Sequence, residues 1–479
     1  MTEVSLLSAF APHLACVAGG VLAVALDAFD RRALAVLGAL AGLTAGVVLA
    51  LIASTGSPVI SGEVVLSGRG FSASVALICA IGALVLLGGW RPLTTTSSGG
   101  GLAALATFLI AGAAALVVSA DVLVALIALE MMALTAYALV WSARTSAATE
   151  ASMKYFVQGA VATGLLVLGI AILVGLYGGT TSYVWIRGLM GSDAGPPVTT
   201  AFVLIAAAFA YKLGAFPFHS WAPDALETAP PHLAALISGV PKLAAGLAMI
   251  VLFSRAVFGG LRPDYVMWVF GSLAILSMVF GAAGGLKQSS YTRMLGYSGI
   301  TQVGYALVGV SMGGAAMTSV AILLTAYALS AGLAFLAAGA FRAARPTWDG
   351  SISGLAGLGR ERKVLGVSVA AALFSLVGMP LTAGFWGKFL VFGVAASAGY
   401  WWLAVIGVTA SVVSFGYYGG VLRSLYFESA PEGSAVQTQG DSDLVCVAVT
   451  AGLALLIVAT GVLPLLFGME PLVRFLTFA

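Results

Sequence analysis

Apolar residues run in fourteen long stretches along this chain, near 5–26, 33–53, 71–89, 101–119, 122–142, 154–178, 199–221, 229–256, 264–284, 294–312, 315–341, 363–393, 398–427 and 444–467. A helix of about 20 apolar residues matches the hydrocarbon thickness of a bilayer. A lipid-spanning segment must also satisfy its own backbone, which uninterrupted apolar runs of this length do as helices. Charge is too scarce for any other solution: 8% of residues are charged and 61% hydrophobic, whereas soluble domains carry about a quarter of their residues as charge. The 61 glycines suit helices that approach closely in lipid. The expected class is an all-α polytopic integral membrane protein of about fourteen transmembrane helices, and a soluble enzyme is excluded.

Several function classes fall away on the same reading. The start MTEVSLLSAF has an acid and no basic residue ahead of its apolar run, so the first stretch is expected to stay as a span and not to be a cleaved signal. Cys16, Cys79 and Cys446 lie in three separate runs without a CxxC pair or a neighbouring histidine, which argues against metal, iron–sulfur and disulfide roles. No phosphate-binding glycine motif is present, and a net charge of +3 spread over loops gives no nucleic-acid footprint.

Basic residues set the orientation. Loops after odd-numbered spans carry Arg31, Arg32, Arg91, Arg144, Lys287, Arg293, Arg342, Arg345, Arg360, Arg362, Lys363 and Arg423, against Arg69, Arg187, Arg255, Arg262 and Arg474 on the opposite side. The positive-inside rule then puts the odd loops in the cytoplasm and both termini outside. Tyr400, Trp401 and Trp402 at a span boundary read as an interfacial belt.

Four basic residues escape that tally because they fall inside apolar spans: Lys154, Lys212, Lys242 and Lys388, with Glu130 as the acid deep within one. Charge at bilayer depth costs several kcal/mol unless paired or hydrated, so each marks a functional hypothesis. The competing reading is a lysine snorkelling from a helix end or a buried pair that only fixes packing. It weighs most for Lys154, near the cytoplasmic end of its span. A lysine in a nearly dry interior holds its proton less tightly, and a carboxylate beside it restores the grip, so moving the partner switches proton affinity. His219 and His232 near broken spans are candidates to extend such a path, and His13 reads as structural.

Backbone punctuation coincides with the charges. Lys212 lies in YKLGAFPFHSWAPD (211–224), Lys242 follows Pro241 in ISGVPKLAAG (237–246), and VGMPLTAGFWGKF (377–389) puts Pro380 and two glycines before Lys388. Interrupted helices at membrane depth are tolerated where they line a cavity or are buried in protein. Spans 4–8 and 9–13 divide into two five-helix units whose fourth members, spans 7 and 12, both carry a break and a lysine. Five is odd, so the units insert with opposite orientation, as in inverted-repeat transporters. The expected organisation is 1–100 for helices 1–3, 101–256 for the first repeat, 257–427 for the second, inverted repeat and 428–479 for a loop and helix 14.

These segments, together with ALEMMALTAYALV (128–140), MKYFVQGA (153–160), RMLGYSGITQVGY (293–305) and ISGLAGLGRER (352–362), resemble the antiporter-like subunits of respiratory complex I, the proton-translocating NADH:quinone oxidoreductase. The valine-proline-lysine of span 8 and the MKYF segment favour the subunit N type, and no long lateral helix is expected. The resemblance implies a hydrated axis along which protons move through Glu130, Lys212, Lys242 and Lys388, with His219 and Lys154 as further members. It implies a multi-pass protein of the bacterial inner membrane, driven by quinone reduction in partner subunits. Those partners include further antiporter-like subunits and would carry the FMN and iron–sulfur clusters and handle NADH and quinone, leaving none of these cofactors in this chain. Gln302 stands where relatives usually have a histidine, which counts against a titrating role for span 10. Thr292 stands where a lysine often precedes the arginine, and Leu381 replaces a second proline and is expected to make the span 12 break shallower. The alternatives are a subunit of a multi-subunit cation/proton antiporter and a chiefly structural membrane subunit.

Overall fold

The computed structural model describes residues 3–55, 66, 68–183, 186, 195–256, 263–429 and 444–476. The apolar stretches wind into α1 (Glu3–Ala28), α2 (Arg32–Thr55), α3 (Arg69–Gly88), α4 (Gly99–Val118), α5 (Val122–Trp141), α6 (Ser146–Leu176), α7a (Pro196–Leu213), α7b (Trp221–Thr228), α8 (Pro231–Ile250), α9 (Pro263–Leu286), α10 (Tyr291–Ser311), α11 (Met317–Ala344), α12a (Lys363–Val377), α12b (Ala383–Ser397), α13 (Trp401–Phe427) and α14 (Leu444–Phe467). Twelve helices among the described residues are long and apolar enough to cross a bilayer on their own. The more polar α10 and the pair of 15-residue half-helices α12a and α12b complete the fourteen.

Helix starts follow from capping chemistry. Asp121 accepts from the amides of Leu123 and Val124 at 2.8 and 3.2 Å and so opens α5, while Thr145 and Ser290 cap α6 and α10 in the same way. The carboxylate of Asp27, at the end of α1, accepts from the amide of Gly101 at 2.9 Å and ties α1 to the first turn of α4. The Trp401 side chain at the start of α13 is exposed, as an interfacial belt requires.

Burial sorts the helices into layers. The membrane-spanning windows of α8 and α11 are 100% and 94% buried, whereas those of α1, α6 and α13 are 33% buried. Pairings recur between the halves: α4 packs on α5 as α9 does on α10, α6 on α7a as α11 on α12a, and α8 lies on α4 as α13 lies on α9. The most enclosed helices, α8 and α11, belong to different halves and run against each other through the middle.

Both expected breaks are present. α7a ends on Gly214 in the left-handed region (φ 73°), and residues 214–220 lead to α7b. α12a ends on Gly378 (φ 88°), and residues 378–382 stay outside both half-helices. The break is present with Leu381 in place of a second proline. Leu381 itself adopts φ 72°, a conformation costly for a residue with a Cβ, so two left-handed positions turn the chain without a second proline. Pro241, by contrast, leaves α8 continuous to Ile250, followed by a π-helical turn over Val251–Ala256.

The basic loop 342–362 is ordered from within. Arg345 is buried, donates to the carbonyls of Gly354 (2.6 Å) and Ala356 (3.2 and 3.3 Å), and pairs with Glu361 at 3.6 Å. The sulfurs of Cys16 and Cys79, far apart in sequence, meet at 3.6 Å as free thiols, and Cys446 approaches the Leu336 carbonyl at 3.7 Å.

Candidate functional site

Lys212 occupies the last turn of α7a, the end of a helix where unpaired carbonyls favour a cation. It is 8% exposed. Its Nζ lies 3.7 Å from Glu130 Oε1 and donates to the Leu129 carbonyl at 3.5 Å. The same oxygen of Glu130, on α5, accepts a hydrogen bond from the Thr163 hydroxyl of α6 at 2.6 Å. The carboxylate is therefore fixed by a neutral donor and faces the ammonium across a gap too long for a close hydrogen bond.

The break beside Lys212 is braced by aromatics. Trp221 at the head of α7b donates to the Tyr211 carbonyl at 3.1 Å and stacks on Tyr155 at 3.9 Å, and the Tyr211 hydroxyl donates to the Tyr155 carbonyl. On the other side the Phe216 amide donates to Ser277 of α9 at 3.0 Å. The break is thus held between rigid walls.

Lys242 is the most enclosed of the series, 1% exposed on the fully buried α8. Its Nζ donates to the Tyr327 hydroxyl of α11 at 3.3 Å and lies 5.3 Å from that ring's centroid. No carboxylate pairs with it among the described residues. Gly299 of α10 leaves the room: a Cβ there would stand 2.6 Å from Nζ.

Lys388 sits on α12b and reaches back across the break. Its Nζ donates to the carbonyls of Leu376 and Val377, both at 2.8 Å, and to Ser411 Oγ at 3.0 Å, and it lies 4.4 Å from the Tyr305 ring centroid. It caps the carbonyl end of α12a, so the break itself supplies the cation's partners. Gln302 donates to the same Leu376 carbonyl at 2.7 Å. The non-titrating residue of span 10 therefore joins the lysine's hydrogen-bond system.

Lys154 is elsewhere. About half-exposed, it bridges Glu150 (2.7 Å) and Asp224 (3.2 Å), and Arg293 of α10 pairs with Asp224 (2.7 Å) and Glu227 (2.9 Å). This five-charge network clamps α7b between the two halves at the basic face. His219 stacks on Phe216 at 5.2 Å with its Nδ1 buried and unpartnered among the described residues. His232 presses on Gly89, and its Nε2 is likewise unpartnered; both ring nitrogens of His13 are too. No group of three or more His, Cys, Asp or Glu able to hold a metal occurs among the described residues.

Sequence reading missed the neutral partners Thr163, Tyr327, Tyr305 and Ser411, which no spacing rule attaches to a distant lysine. It also missed Asp224 and Glu227 as ion partners, although Asp224 closes the FHSWAPD segment that carries His219.

Comparison with known proteins bears on what this arrangement does. A family model described as NADH:quinone oxidoreductase/Mrp antiporter, TM, matches residues 119–414. NADH-quinone oxidoreductase subunit N of Trichlorobacter lovleyi is 35% identical over 385 residues, 78% of this chain and 77% of that protein. The protein of the same name from Sphingopyxis alaskensis is 34% identical over 349 residues, 72% of each. A chain in the structure of respiratory complex I from Thermus thermophilus superposes with a TM-score of 0.80 at 26% identity, covering 96% of this chain and 98% of that one. A chain of the Mrp complex from Dietzia sp. has the same fold, with a TM-score of 0.79 at 20% identity over 99% of this chain and 100% of that one.

Proposed function

The chain belongs to the NADH:quinone oxidoreductase/Mrp antiporter transmembrane family, and from that premise we propose that it works as subunit N of a proton-translocating NADH:quinone oxidoreductase, relaying protons through Glu130, Lys212, Lys242 and Lys388. It is a multi-pass membrane subunit whose partners are the other membrane subunits of such a complex. Electron donor, flavin, iron–sulfur clusters and quinone belong to other subunits of the complex, and this chain contributes the proton path.

The observation that carries the reading is the loose pair at the first break: an ammonium held 3.7 Å from a carboxylate oxygen that already accepts a short hydrogen bond from Thr163. A tight, doubly hydrogen-bonded pair would fix packing and resist separation. A pair at this distance keeps the cation loaded yet needs only a small displacement of α7a against α5 to weaken it. Released, the proton passes through the interior toward Lys242, which among the described residues has only the Tyr327 hydroxyl to hold it, and on to Lys388 at the second break. Lys154 and His219 stand at the basic-face side of the first break and serve as its mouth. Energy comes from quinone reduction elsewhere in the complex, and each charge moved against the membrane potential requires about 2.3 kcal/mol per 100 mV.

The family also contains Mrp antiporter subunits, and the Dietzia chain has this fold, so the test must separate the two assemblies. Affinity purification of the native complex, followed by identification of its chains by mass spectrometry, is expected to recover flavin- and iron–sulfur-binding subunits. Recovery of small cation-antiporter subunits with no redox protein would refute the assignment.

A further inference from the structure

Helix α14 carries none of the relay residues. It nevertheless packs on α11, α12a and α12b, and so runs across the second break. Two contacts join it there. The Trp386 indole of α12b donates to the Gly461 carbonyl of α14 at 2.8 Å. Gly461 in turn lets the backbone of the break approach: a Cβ on it would stand 2.4 Å from the carbonyl carbon and oxygen of Leu381 and from the Cα of Thr382. Pro464, one turn further along α14, has no amide to donate and disturbs the carbonyl ladder of the preceding turn, where Gly461 lies.

The half-helix α12b is gripped from its other sides as well. The Gly384 amide in its first turn donates to Ser375 Oγ of α12a at 3.1 Å, and Ser330 of α11 donates to the same oxygen at 2.8 Å. Gly387 backs onto α11, where a Cβ would meet the Cα of Leu323 at 2.5 Å. Trp386 and Lys388 are two residues apart, about 200° around a helix. The indole therefore reaches out to α14 while the ammonium turns back to the carbonyls of Leu376 and Val377. A 15-residue half-helix has no continuous helical backbone behind it to fix its rotation, and those two bonds are lost once rotation stretches them beyond hydrogen-bond range. Any large apolar side chain would fill the space against α14; an indole N–H aimed at a carbonyl adds direction. We propose that α14 is a splint for the second break and that Trp386 is a positioning residue for Lys388, holding α12b at the rotation where the ammonium meets the carbonyl end of α12a; the proposal rests on the reading of Lys388 as a relay group.

The test uses the whole complex in inside-out membrane vesicles and reads assembly and the proton-to-electron ratio per assembled complex for Trp386→Phe, Gly461→Ala, Lys388→Met and the double variant Trp386→Phe with Lys388→Met. Trp386→Phe keeps an aromatic ring in the contact and deletes the donor, so assembly is expected at parental level while the ratio falls. Gly461→Ala presses α14 away from residues 381–382 and is expected to lower the ratio from the other side of the same contact. The double variant is expected to match Lys388→Met alone, because a residue that acts through Lys388 has nothing left to position. Parental ratios in Trp386→Phe and Gly461→Ala beside a lowered ratio in Lys388→Met overturn the splint and leave the relay standing. A further loss of ratio or assembly in the double variant, or a failure of Trp386→Phe to assemble, marks a general packing contact and also overturns the positioning role. A parental ratio in Lys388→Met overturns the relay reading of that residue and the splint with it.

Discussion

Replacing Lys212 with Met tests the relay where its geometry is most explicit. Methionine keeps an unbranched apolar stem of similar length and removes only the titrating amine, so the buried site stays filled and assembly is expected to survive. The charge it removes interacts with Glu130 at 3.7 Å. At an effective dielectric near 20 that separation corresponds to about 4 kcal/mol, less after screening, because the Glu130 side chain is 31% exposed. Glu130→Gln removes the same bias from the other side and leaves an amide that still accepts from Thr163. Both single variants are expected to lose proton uptake, and the double variant to be little worse than either, because groups that act as one unit are strongly non-additive. NADH-driven proton uptake in membrane vesicles, measured beside assembly, reads all three. If Lys212→Met assembles and pumps at the normal proton-to-electron ratio, or if the two single losses multiply in the double variant, the switch reading fails.

Four other outcomes are expected. Cysteines introduced at Ser351, in the basic loop, and near Ala479, which lies outside the described residues, should label from opposite membrane faces; labelling from one face would contradict fourteen crossings. A photoreactive quinone analogue should mark other subunits, since the polar interior here is built from lysines, and dominant labelling of this chain would refute the division of labour. Lys154→Met should leave activity near the parental level, because its ion pairs with Glu150 and Asp224 are exposed and screened by solvent; a loss matching that of Lys212→Met would move Lys154 into the relay itself. Gly384→Ala should impair assembly, because a Cβ there falls 1.9 Å from the Ser375 carbonyl oxygen, whereas Gly393→Ala on the same half-helix meets nothing within 4 Å and should assemble normally.

The membrane class, the crossings and both breaks were legible because each rests on local chemistry: apolar length, glycine with proline, and charge where charge is costly. Lys212, Lys242 and Lys388 were legible for the same reason, as rare residues in spans that leave no route to water. Their partners were not. Tyr327 and Ser411 are ordinary residues of apolar helices until the fold carries them to Lys242 and Lys388, from 85 and 23 residues away. The turn at Leu381 was not legible, because proline is one way to end a helix and a left-handed backbone is another, and the second leaves no mark when the residue is leucine. Lys154 lay inside an apolar run by composition, yet its partners Glu150 and Asp224 hold it half-exposed at the basic end.

The three buried lysines differ in how their charge is compensated, and that difference gives the series a direction. Lys212 faces a full anion, Lys242 a phenol and its ring, and Lys388 two backbone carbonyls and a hydroxyl. A carboxylate stabilises an ammonium more than dipoles do, and the enclosed middle of the chain offers the weakest compensation of the three. In the proposed relay a proton rests at Lys212 while Glu130 is near, crosses Lys242 as a short-lived occupant, and is caught again where the broken α12a exposes its carbonyl end. Glu130 is the one acid paired with the series among the described residues, so in that relay two loaded lysines would leave an uncompensated charge at membrane depth, and occupancy by a second proton would push out the first. Direction in the proposed relay would come from when Glu130 approaches and withdraws, an event that the clamped α7b could transmit from the neighbouring subunits.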